Sequence, residues 1–437
     1  MYQLIIKNGV CLTTHGRQQV DIGIKEGKIA FIGNLSKEQA EKVVDATELF
    51  VLPGLVDTQV HFREPGLEHK EDLESGTRGA VLGGVTGVFE MPNTNPSTTT
   101  KEALQDKINR MQNRAWCNYS FYVGGTPDKG VDWHELEELP GCCGIKIFMG
   151  ASTGNLLVEE DEALKRILEK TTKRVAIHSE DNFIMKERKE IAEKGKHPRY
   201  HHIWRNKESA ISSTNRLLKI AREVDAKVHV LHVTTVEEME ILKQNKDIAT
   251  VEILPQHLTF SEEDYETLGT RIQMNPPIRD KENRDGLWKY VNDGTVCATG
   301  SDHAPHTLEE KAKEYPNSPS GMTGVQTIIP VYLDHINKGK MTLEKLVELM
   351  AECLHTVWGV KNKGRISIGY DADFTIVNMD KEWICTDDQM ASKSKWTPYH
   401  NTKFKGKATH TIVGGNVIME NDRLDHSLQG KVRTYKF

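Results

Sequence analysis

The sequence lacks the features that define several classes of protein. It contains no run of 18 or more apolar residues, the length that a membrane-spanning helix needs. Residues 1–7 have neither the basic region nor the long apolar region of a signal peptide. No Pro-rich or Gly/Ser-rich linker and no low-complexity stretch divides the chain. We therefore expect a cytoplasmic protein with no membrane partner.

Cysteine usage and charge exclude two further classes. The seven cysteines are scattered, odd in number and form no CxxC pair, which is typical of reduced thiols and not of a disulfide framework. The 57 Lys and Arg against 63 Asp and Glu give a net charge of −6. A nucleic-acid partner is not expected, because proteins of that class carry a basic excess. The acidic total still permits a small anionic substrate held by one or two local arginines.

Strand-like and helix-like segments alternate through the middle of the chain. The apolar runs predict eight strands, at 50–56, 87–91, 118–123, 144–149, 175–177, 228–231, 250–254 and 296–299. Charged segments of helical period lie between them, at 101–113, 159–172, 207–224, 236–245 and 281–291. This alternation predicts an α/β fold, a (β/α)₈ TIM-type barrel, with a doubly wound open sheet as the alternative. Polar residues end many of the strands, which favours the barrel because its C-terminal face carries the active site.

Both ends of the chain have a different pattern from the middle. Short alternating strands joined by glycine turns are predicted at 2–7, 20–32, 373–378 and 409–419. Neither end has enough strands for a core of its own, so we expect the two ends to pair in one small β-sandwich. The predicted domains are a composite β domain of residues 1–50 and 361–437 and a metal-dependent barrel of residues 51–360.

Residues suited to metal chemistry stand at the ends of the predicted strands. His61, His178, His232 and Asp302 each follow a strand, and imidazole and carboxylate are ligands that Zn²⁺ takes in sites open to water. One such histidine is more often a hydrogen-bonded core or rim residue, but chance is a poor explanation for the whole set. Lys146 lies inside an apolar run, so either it snorkels to the rim or its neutral amine has combined with carbon dioxide as a carbamate.

Four segments of the chain resemble the dihydroorotases of the amidohydrolase superfamily. They are residues 57–66 (DTQVHFREPG), 90–94 (EMPNT), 274–279 (MNPPIR) and 302–306 (DHAPH). Residues 363–373 resemble that superfamily's return into its small β domain, so the resemblance spans nearly the whole chain. It implies a hydrolase of cyclic amides that reversibly cyclises N-carbamoyl-L-aspartate to (S)-dihydroorotate in pyrimidine (UMP) biosynthesis, with a homodimer as a plausible assembly.

The resemblance also implies residue roles. Zinc would be ligated by His61, His178, His232 and Asp302, with Lys146 as an N6-carboxylated bridge between two ions. The substrate carboxylate and ring would be held by Arg63, Asn93, Asn275 and His306, with backbone contacts from Ser320 and Gly321. The expected mechanism is attack of a metal-bound hydroxide on the ring amide carbonyl, with Asp302 taking the proton and returning it to the leaving nitrogen.

The chain departs from this family at Gln59, where most members have the first histidine of a His-x-His pair. An amide oxygen is a weaker zinc ligand than imidazole, so Gln59 is at most a marginal ligand and one or two zinc ions per chain are both expected. The same departure supports an alternative, a catalytically silent homologue that serves as a scaffold. Allantoinase and dihydropyrimidinase are alternative activities, but Arg63 and Asn93 favour the anionic dihydroorotate.

The remaining histidines are interpreted as structural. His201 and His202 are expected to be solvated in a charged surface segment, and His229 faces away from the metal ligands. His303 is next to Asp302 and could orient it, and His257 is more a packing residue than a partner of the ligands. The segment 307–319, rich in Lys and Glu, is expected to form a mobile lid or a solvated loop.

Overall fold

The chain begins with a run of short strands. The structure, a computed structural model, describes residues 1–150 and 156–437. Its first strands are β1 (Tyr2–Lys7), β2 (Val10–Thr13), β3 (Gly16–Gln19), β4 (Asp21–Lys25), β5 (Lys28–Gly33), β6 (Ala40–Asp45) and β7 (Phe50–Pro53). Most are four to six residues long and turn on glycine, as the sequence pattern predicts.

Eight parallel strands follow and form a nearly closed barrel. They are β8 (Leu55–Val60), β9 (Val85–Glu90), β10 (Asn118–Gly124), β11 (Cys142–Phe148), β12 (Val175–His178), β13 (Val228–Val230), β14 (Ala249–Ile253) and β15 (Ala298–Thr299). Each pairs in parallel with the next along the chain, from β8 to β15. Val60 forms a parallel bridge with His303, and the His61 N–H donates to the His303 carbonyl at 2.7 Å, which brings the first strand back to the last. The barrel prediction is confirmed, and the open-sheet alternative is wrong.

Helices connect the barrel strands and follow them. They are α1 (Leu73–Leu82), α2 (Lys101–Met111), α3 (Trp133–Glu137), α4 (Asp161–Leu168), α5 (Asn182–Glu187), α6 (Lys189–Gly195), α7 (His201–Trp204), α8 (Lys207–Glu223), α9 (Val236–Lys243), α10 (Pro255–Thr259), α11 (Tyr265–Leu268), α12 (Lys281–Asn292), α13 (Leu308–Lys311), α14 (Ile328–Asn337), α15 (Leu343–Val347) and α16 (Cys353–Thr356). No helix among the described residues is long and apolar enough to cross a membrane.

The five predicted helices are α2, α4, α8, α9 and α12, and most start at a side-chain cap. Thr100, Asn206, Thr235 and Asp280 each accept a hydrogen bond from the backbone N–H three residues on. The other described helices were not predicted, and α1 and α14 are the longest of them. In α1 two glycines interrupt the apolar face, so the sequence of this segment shows no clear helical period.

The last strands complete the larger of two sheets that lie outside the barrel. They are β16 (Phe374–Cys385), β17 (Thr402–Val413), β18 (Asn416–Glu420) and β19 (Arg423–Leu424). One sheet has the order β5-β4-β1-β6, and the other has the order β19-β18-β17-β16-β7-β2-β3, which mixes both chain ends. Their facing sides share a core that includes Leu4, Ile24, Val51, Phe374 and Ile412. The prediction of a β-sandwich built from both ends is confirmed.

The predicted strand at 50–56 is two strands in two sheets. It breaks at Gly54, so that β7 pairs with β16 in the mixed sheet while β8 enters the barrel. A Cβ at Gly54 would lie 2.5 Å from Thr86 Oγ1 and 2.7 Å from Asp373 Cβ, so this crossing requires a glycine. A continuous apolar run carries no sign of such a change of partner, which explains the error.

Candidate active site

One cavity of about 330 Å³ opens at the carboxyl ends of the barrel strands. All the residues predicted for metal, proton or substrate line it: Gln59, His61, Arg63, Asn93, Lys146, His178, His232, Asn275, Asp302, His306, Ser320 and Gly321. Leu67, Lys70, Phe148, Ala304 and Pro319 complete its wall. The fold therefore brings the whole predicted set together, while the role of each residue remains a prediction.

The cavity has two chemically different parts. We call the residues predicted to bind metal the ligand cluster. We call the remaining cationic and imidazole side chains of the cavity wall the basic end. The ligand cluster comprises Gln59, His61, Lys146, His178, His232 and Asp302. The basic end comprises Arg63, Lys70 and His306.

The first half of the ligand cluster is built around Asp302. Its Oδ1 lies 3.0 Å from His61 Nε2 and accepts a hydrogen bond from Gln59 Nε2 at 3.2 Å. The other ring nitrogen of His61 lies 2.5 Å from Asn93 Oδ1, which fixes the ring. Gln59 Oε1 is buried without a partner among the described residues. Burial lowers the pKa of His61, which keeps the imidazole in the neutral form that binds metals.

The second half is a pair of facing imidazoles. His178 Nδ1 and His232 Nε2 are 3.1 Å apart. On its other side His178 Nε2 lies 2.7 Å from Glu180 Oε2, and Arg205 forms a buried ion pair with the same carboxylate. Burial opposes ionisation of Glu180, but Arg205 and His178 outweigh it and hold the pKa of the carboxyl well below its usual range. Glu180 therefore accepts a hydrogen bond from His178 Nε2–H. The Nδ1 atom of His178 is then unprotonated, and its lone pair is directed at the His232 ring.

Lys146 is a buried amine with no hydrogen-bond partner among the residues that the structure describes. Its side chain is 1% exposed, and Nζ lies 4.2 Å from the centre of the Phe148 ring. Burial lowers the pKa of Lys146 to about 7, although Asp302 and Glu252 oppose this shift. A neutral amine is the form that combines with carbon dioxide. Buried polar atoms normally have a hydrogen-bond partner, so the bare Nζ atom is consistent with a group that is not part of the polypeptide.

The ligand cluster fits a metal centre on the chemistry of its donors. Within residues 1–150 and 156–437, no three His, Cys, Asp or Glu side chains converge as a closed site. Each half instead supplies two donors, and the amine of Lys146 lies within electrostatic reach of His178, His232 and Asp302. Carboxylation of Lys146 would add oxygen donors to this set. Unprotonated imidazoles and the unpartnered oxygen of Gln59 agree with this assignment.

The basic end holds a guanidinium without a carboxylate. Arg63 is 7% exposed, its Nε donates to the Pro305 carbonyl at 3.1 Å, and it forms no ion pair with a described residue. Burial lowers the pKa of Arg63 to about 10, so it stays cationic at neutral pH. Lys70 lies 3.1 Å from His306 Nδ1 and 3.2 Å from Glu310. A planar guanidinium left unpaired in a cavity is suited to an incoming carboxylate.

Three residues of the cavity have left-handed backbone conformations. The φ angles are 66° at Arg63, 40° at His232 and 46° at Asp302. For residues other than glycine such angles cost of order 1–3 kcal/mol and persist only where the surroundings over-determine them. Asp57 helps to hold the backbone next to Asp302, since Asp57 Oδ1 accepts a hydrogen bond from the backbone N–H of Ser301 at 2.9 Å.

His201 corrects an expectation from the sequence. It is 1% exposed, not solvated, because α7 packs against the loops after the barrel strands. Its Nε2 lies 2.9 Å from Asn275 Oδ1 and 3.3 Å from Ser320 Oγ, and its Nδ1 lies 3.3 Å from the Tyr315 hydroxyl. His201 thus joins two predicted substrate contacts. The polar character of residues 196–202 suggested a solvated segment, and burial of one histidine within it has no local sign in the sequence.

His229 and His303 were expected to be structural and to orient Asp302, respectively, and only the first expectation agrees with the contacts. His229 is structural, since it packs on Trp358 with ring centres 5.1 Å apart. His303 binds the backbone N–H of Gly324 and lies 3.3 Å from Glu71, so its recorded contacts do not go to Asp302. Glu180 and Arg205 were missed as partners of the ligands. The His178-Ser179-Glu180 spacing was the available signal for the first, and nothing local marked the second.

Comparison with known proteins settles the family. Residues 50–418 match the sequence model of the Amidohydrolase family. The chain belongs to that family. This amidohydrolase is 34% identical to a dihydroorotase of Pyrococcus furiosus over 410 residues, which covers 92% of this chain and 89% of the other. It is 33% identical to a dihydroorotase of Bacillus cytotoxicus over 434 residues, or 96% and 98% of the two chains.

Solved structures give a related but different set of names. The amidohydrolase superposes on an L-hydantoinase (dihydropyrimidinase) from Arthrobacter aurescens with a TM-score of 0.96, 28% identity and complete coverage of both chains. A D-hydantoinase superposes with a TM-score of 0.90 and 25% identity, over 99% of this chain and 98% of the other. The family and its relatives identify this protein as a hydrolase that acts on cyclic amides.

Proposed function

We propose that this amidohydrolase is a zinc-dependent dihydroorotase, which interconverts N-carbamoyl-L-aspartate and (S)-dihydroorotate in pyrimidine biosynthesis. The substrate is a small anion, and no nucleic acid or membrane takes part. We further propose a cytoplasmic location and a homodimer, which sedimentation at micromolar concentration tests.

The observation that carries this proposal is the unpaired Arg63 in a cavity that also holds the ligand cluster. Dihydroorotate differs from dihydrouracil by a ring carboxylate, and a buried cation without a counter-ion favours the ring that brings one. His306 stands beside Arg63 at 3.3 Å, and Asn93 reaches His61 from the neighbouring strand. The cavity thus offers an anion-binding end and an amide-reactive end together.

The residues of this chain divide the chemistry among them. Zinc held by His61, His178, His232, Asp302 and a carboxylated Lys146 would supply Lewis acidity and the activation of water. The recorded contacts of Asp302 all go to Oδ1, so its Oδ2 has no described partner and is available to take a proton and return it to the leaving nitrogen.

The orientation of the ring would come from the other end of the cavity. Arg63 would hold the carboxylate, and Asn275 and His306 would contact the ring. His201 holds the Asn275 amide at 2.9 Å, so that the contact residue is preorganised before substrate arrives.

A second candidate is hydrolysis of a neutral cyclic imide, as the names of the structural relatives indicate. The superposition over the whole chain favours it, since fold and cavity are shared. The two candidates differ in whether the substrate brings a carboxylate, so Arg63 decides between them.

Steady-state assays with zinc-loaded protein test the proposal. We expect turnover of dihydroorotate to exceed that of dihydrouracil, hydantoin and allantoin by more than about 100-fold in kcat/KM, the effect of one buried charge-assisted contact. Faster hydrolysis of a neutral ring would contradict the assignment. Absence of both zinc and turnover would favour the scaffold alternative that Gln59 raises.

A further inference from the structure

Lys311 is a buried lysine that sits outside the predicted site. It ends α13, in the segment where the sequence suggested a mobile lid, and it is 1% exposed. Its ammonium donates to three backbone carbonyls, those of Gln273 at 3.1 Å, Pro319 at 2.9 Å and Gly321 at 2.9 Å. An ammonium has three N–H donors, so its hydrogen-bonding capacity is fully used.

The three carbonyls belong to two segments that the lysine joins. Pro319 and Gly321 line the cavity, and Gln273 lies two residues before Asn275. Other bonds join the same segments, since the Gly321 N–H donates to the Gln273 carbonyl at 2.9 Å and Gln273 Nε2 donates to the Ser318 carbonyl at 2.9 Å. Lys311 is thus the centre of a junction that forms one wall of the cavity.

The backbone of this wall has little freedom to shift. Gly321 has a φ of 134°, and a Cβ there would lie 2.4 Å from the Ala304 carbonyl oxygen. The Ser320 carbonyl lies 3.1 Å from His306 Nε2. A small displacement of this segment would therefore move both Ser320 and His306, which are predicted substrate contacts.

The charge of Lys311 has no counter-ion among the described residues. The buried Lys107 is paired with Glu90, and the buried Lys363 is paired with Asp371 and Asp373. Around Lys311 there are only carbonyl dipoles and the ring of Trp396, whose centre is 5.9 Å from Nζ. Burial lowers the pKa of Lys311 to about 7, so keeping this cation is costly unless an anion comes near.

The positive charge of Lys311 also acts electrostatically on the basic end. Burial and the positive charges of Arg63, Lys70 and Lys311 together hold the pKa of His306 far below its ordinary value. Lys311 therefore acts on the same region of the cavity as Arg63, although its own side chain does not line it. An anion bound there would relieve the cost of both buried cations.

We propose that Lys311 is a positioning residue for an anionic substrate: its ammonium holds residues 318–321 in the conformation that presents Ser320 and Gly321, and its uncompensated charge strengthens the basic end. The identity of the anion, dihydroorotate, rests on the proposed function. The role of Lys311 in holding residues 318–321 does not depend on that function.

The test compares Lys311→Met with the wild-type enzyme. Removing a charged donor from buried acceptors should raise the KM for dihydroorotate about 10-fold or more and lower kcat less than about 3-fold. Hydrogen exchange in peptides covering 318–321 should become about 10-fold faster, since Lys311 would no longer hold the Gln273 carbonyl that accepts the Gly321 N–H. A folded Lys311→Met enzyme with unchanged KM and unchanged exchange would overturn the proposal.

Two further variants keep the test decisive. Lys363→Met removes another buried lysine, one that does not line the cavity, and it should lower the melting temperature while KM stays within about 2-fold of wild type. If Lys311→Met does not fold, Gln273→Leu removes the side-chain bonds of the same junction and should raise KM about 3-fold; no rise would overturn the proposal. If wild type hydrolyses only neutral rings, the proposed function fails, and the exchange measurement still decides whether Lys311 holds the segment.

Discussion

The two parts of the cavity are prepared for opposite charges. In the ligand cluster, burial lowers the pKa of His61, His178 and His232, so each imidazole offers a lone pair to a cation. At the basic end, Arg63 keeps its proton and forms no ion pair with a described residue, although the charges of Asp302, Glu90, Glu310 and Glu71 favour its protonated form. The same burial therefore leaves neutral donors in one part and a cation in the other, because the ordinary pKa of histidine is near 6.5 and that of arginine above 12.

This contrast explains how an acidic protein would hold an acidic substrate. The net charge of −6 is a total over the whole chain, while the basic end is a local feature of Arg63, Lys70 and His306. In the proposed binding mode, the substrate carboxylate lies at Arg63 and the reacting carbonyl lies at the ligand cluster. Four substitutions would break or sharpen this comparison.

The largest effect is expected from Lys146→Ala in the ligand cluster. A carbamate at Lys146 would join both halves, so its loss should lower kcat more than about 1,000-fold and reduce zinc per chain. Short carboxylic acids such as propionate should restore part of the activity by occupying the vacated position. Zinc analysis and turnover measure both effects, and full activity of the alanine variant would refute the bridge.

The next effect is expected at the basic end, from Arg63→Met. Loss of the guanidinium should raise the KM for dihydroorotate about 100-fold, as for a buried charge-assisted contact, with little change for dihydrouracil. Lys70→Met is the matched control, since Lys70 already has Glu310 at 3.2 Å and should matter less. Equal losses for the charged and the neutral ring would show that Arg63 is not the carboxylate contact.

A smaller effect is expected from Glu180→Gln, which acts on the ligand cluster through His178. Without the charge paired to Arg205, the His178 ring loses its fixed tautomer, and zinc affinity should fall about 10- to 100-fold. Competition with a chelator measures it. Glu238→Gln is the control, because this buried carboxyl contacts Thr235 and Thr214 instead of a ligand. Equal zinc affinity in the two variants would contradict a positioning role for Glu180.

The smallest effect on turnover is expected from Gln59→His. If the amide is a weak ligand, an imidazole at this place should raise zinc per chain toward two, with a change in kcat below about 10-fold. Metal analysis of wild type, Gln59→His and Gln59→Ala decides the matter. Two zinc ions in all three proteins would mean that the centre never depended on this residue.

Many features of the fold were visible in the sequence because they are local. Apolar runs bounded by polar ends located seven barrel strands to within a few residues, and charged segments of helical period located α2, α4, α8, α9 and α12. The break at Gly54 was not visible, because a strand shows its apolar character but not its partner. His61, His178, His232 and Asp302 were predictable as a set, since they follow strands whose ends must meet, whereas the substrate contacts were implied by the family resemblance.

The sequence by itself determined the alternation of strands and helices and the residue types at the strand ends, because both are written in short stretches of chain. Only the tertiary structure decided which cations are paired, that Glu180 turns one nitrogen of His178 toward His232, and that His201 and Lys311 are buried. Those properties depend on groups up to hundreds of residues apart, such as Arg63 and Pro305. Pairing and burial are relations between distant residues, and these relations exist only once the barrel has formed.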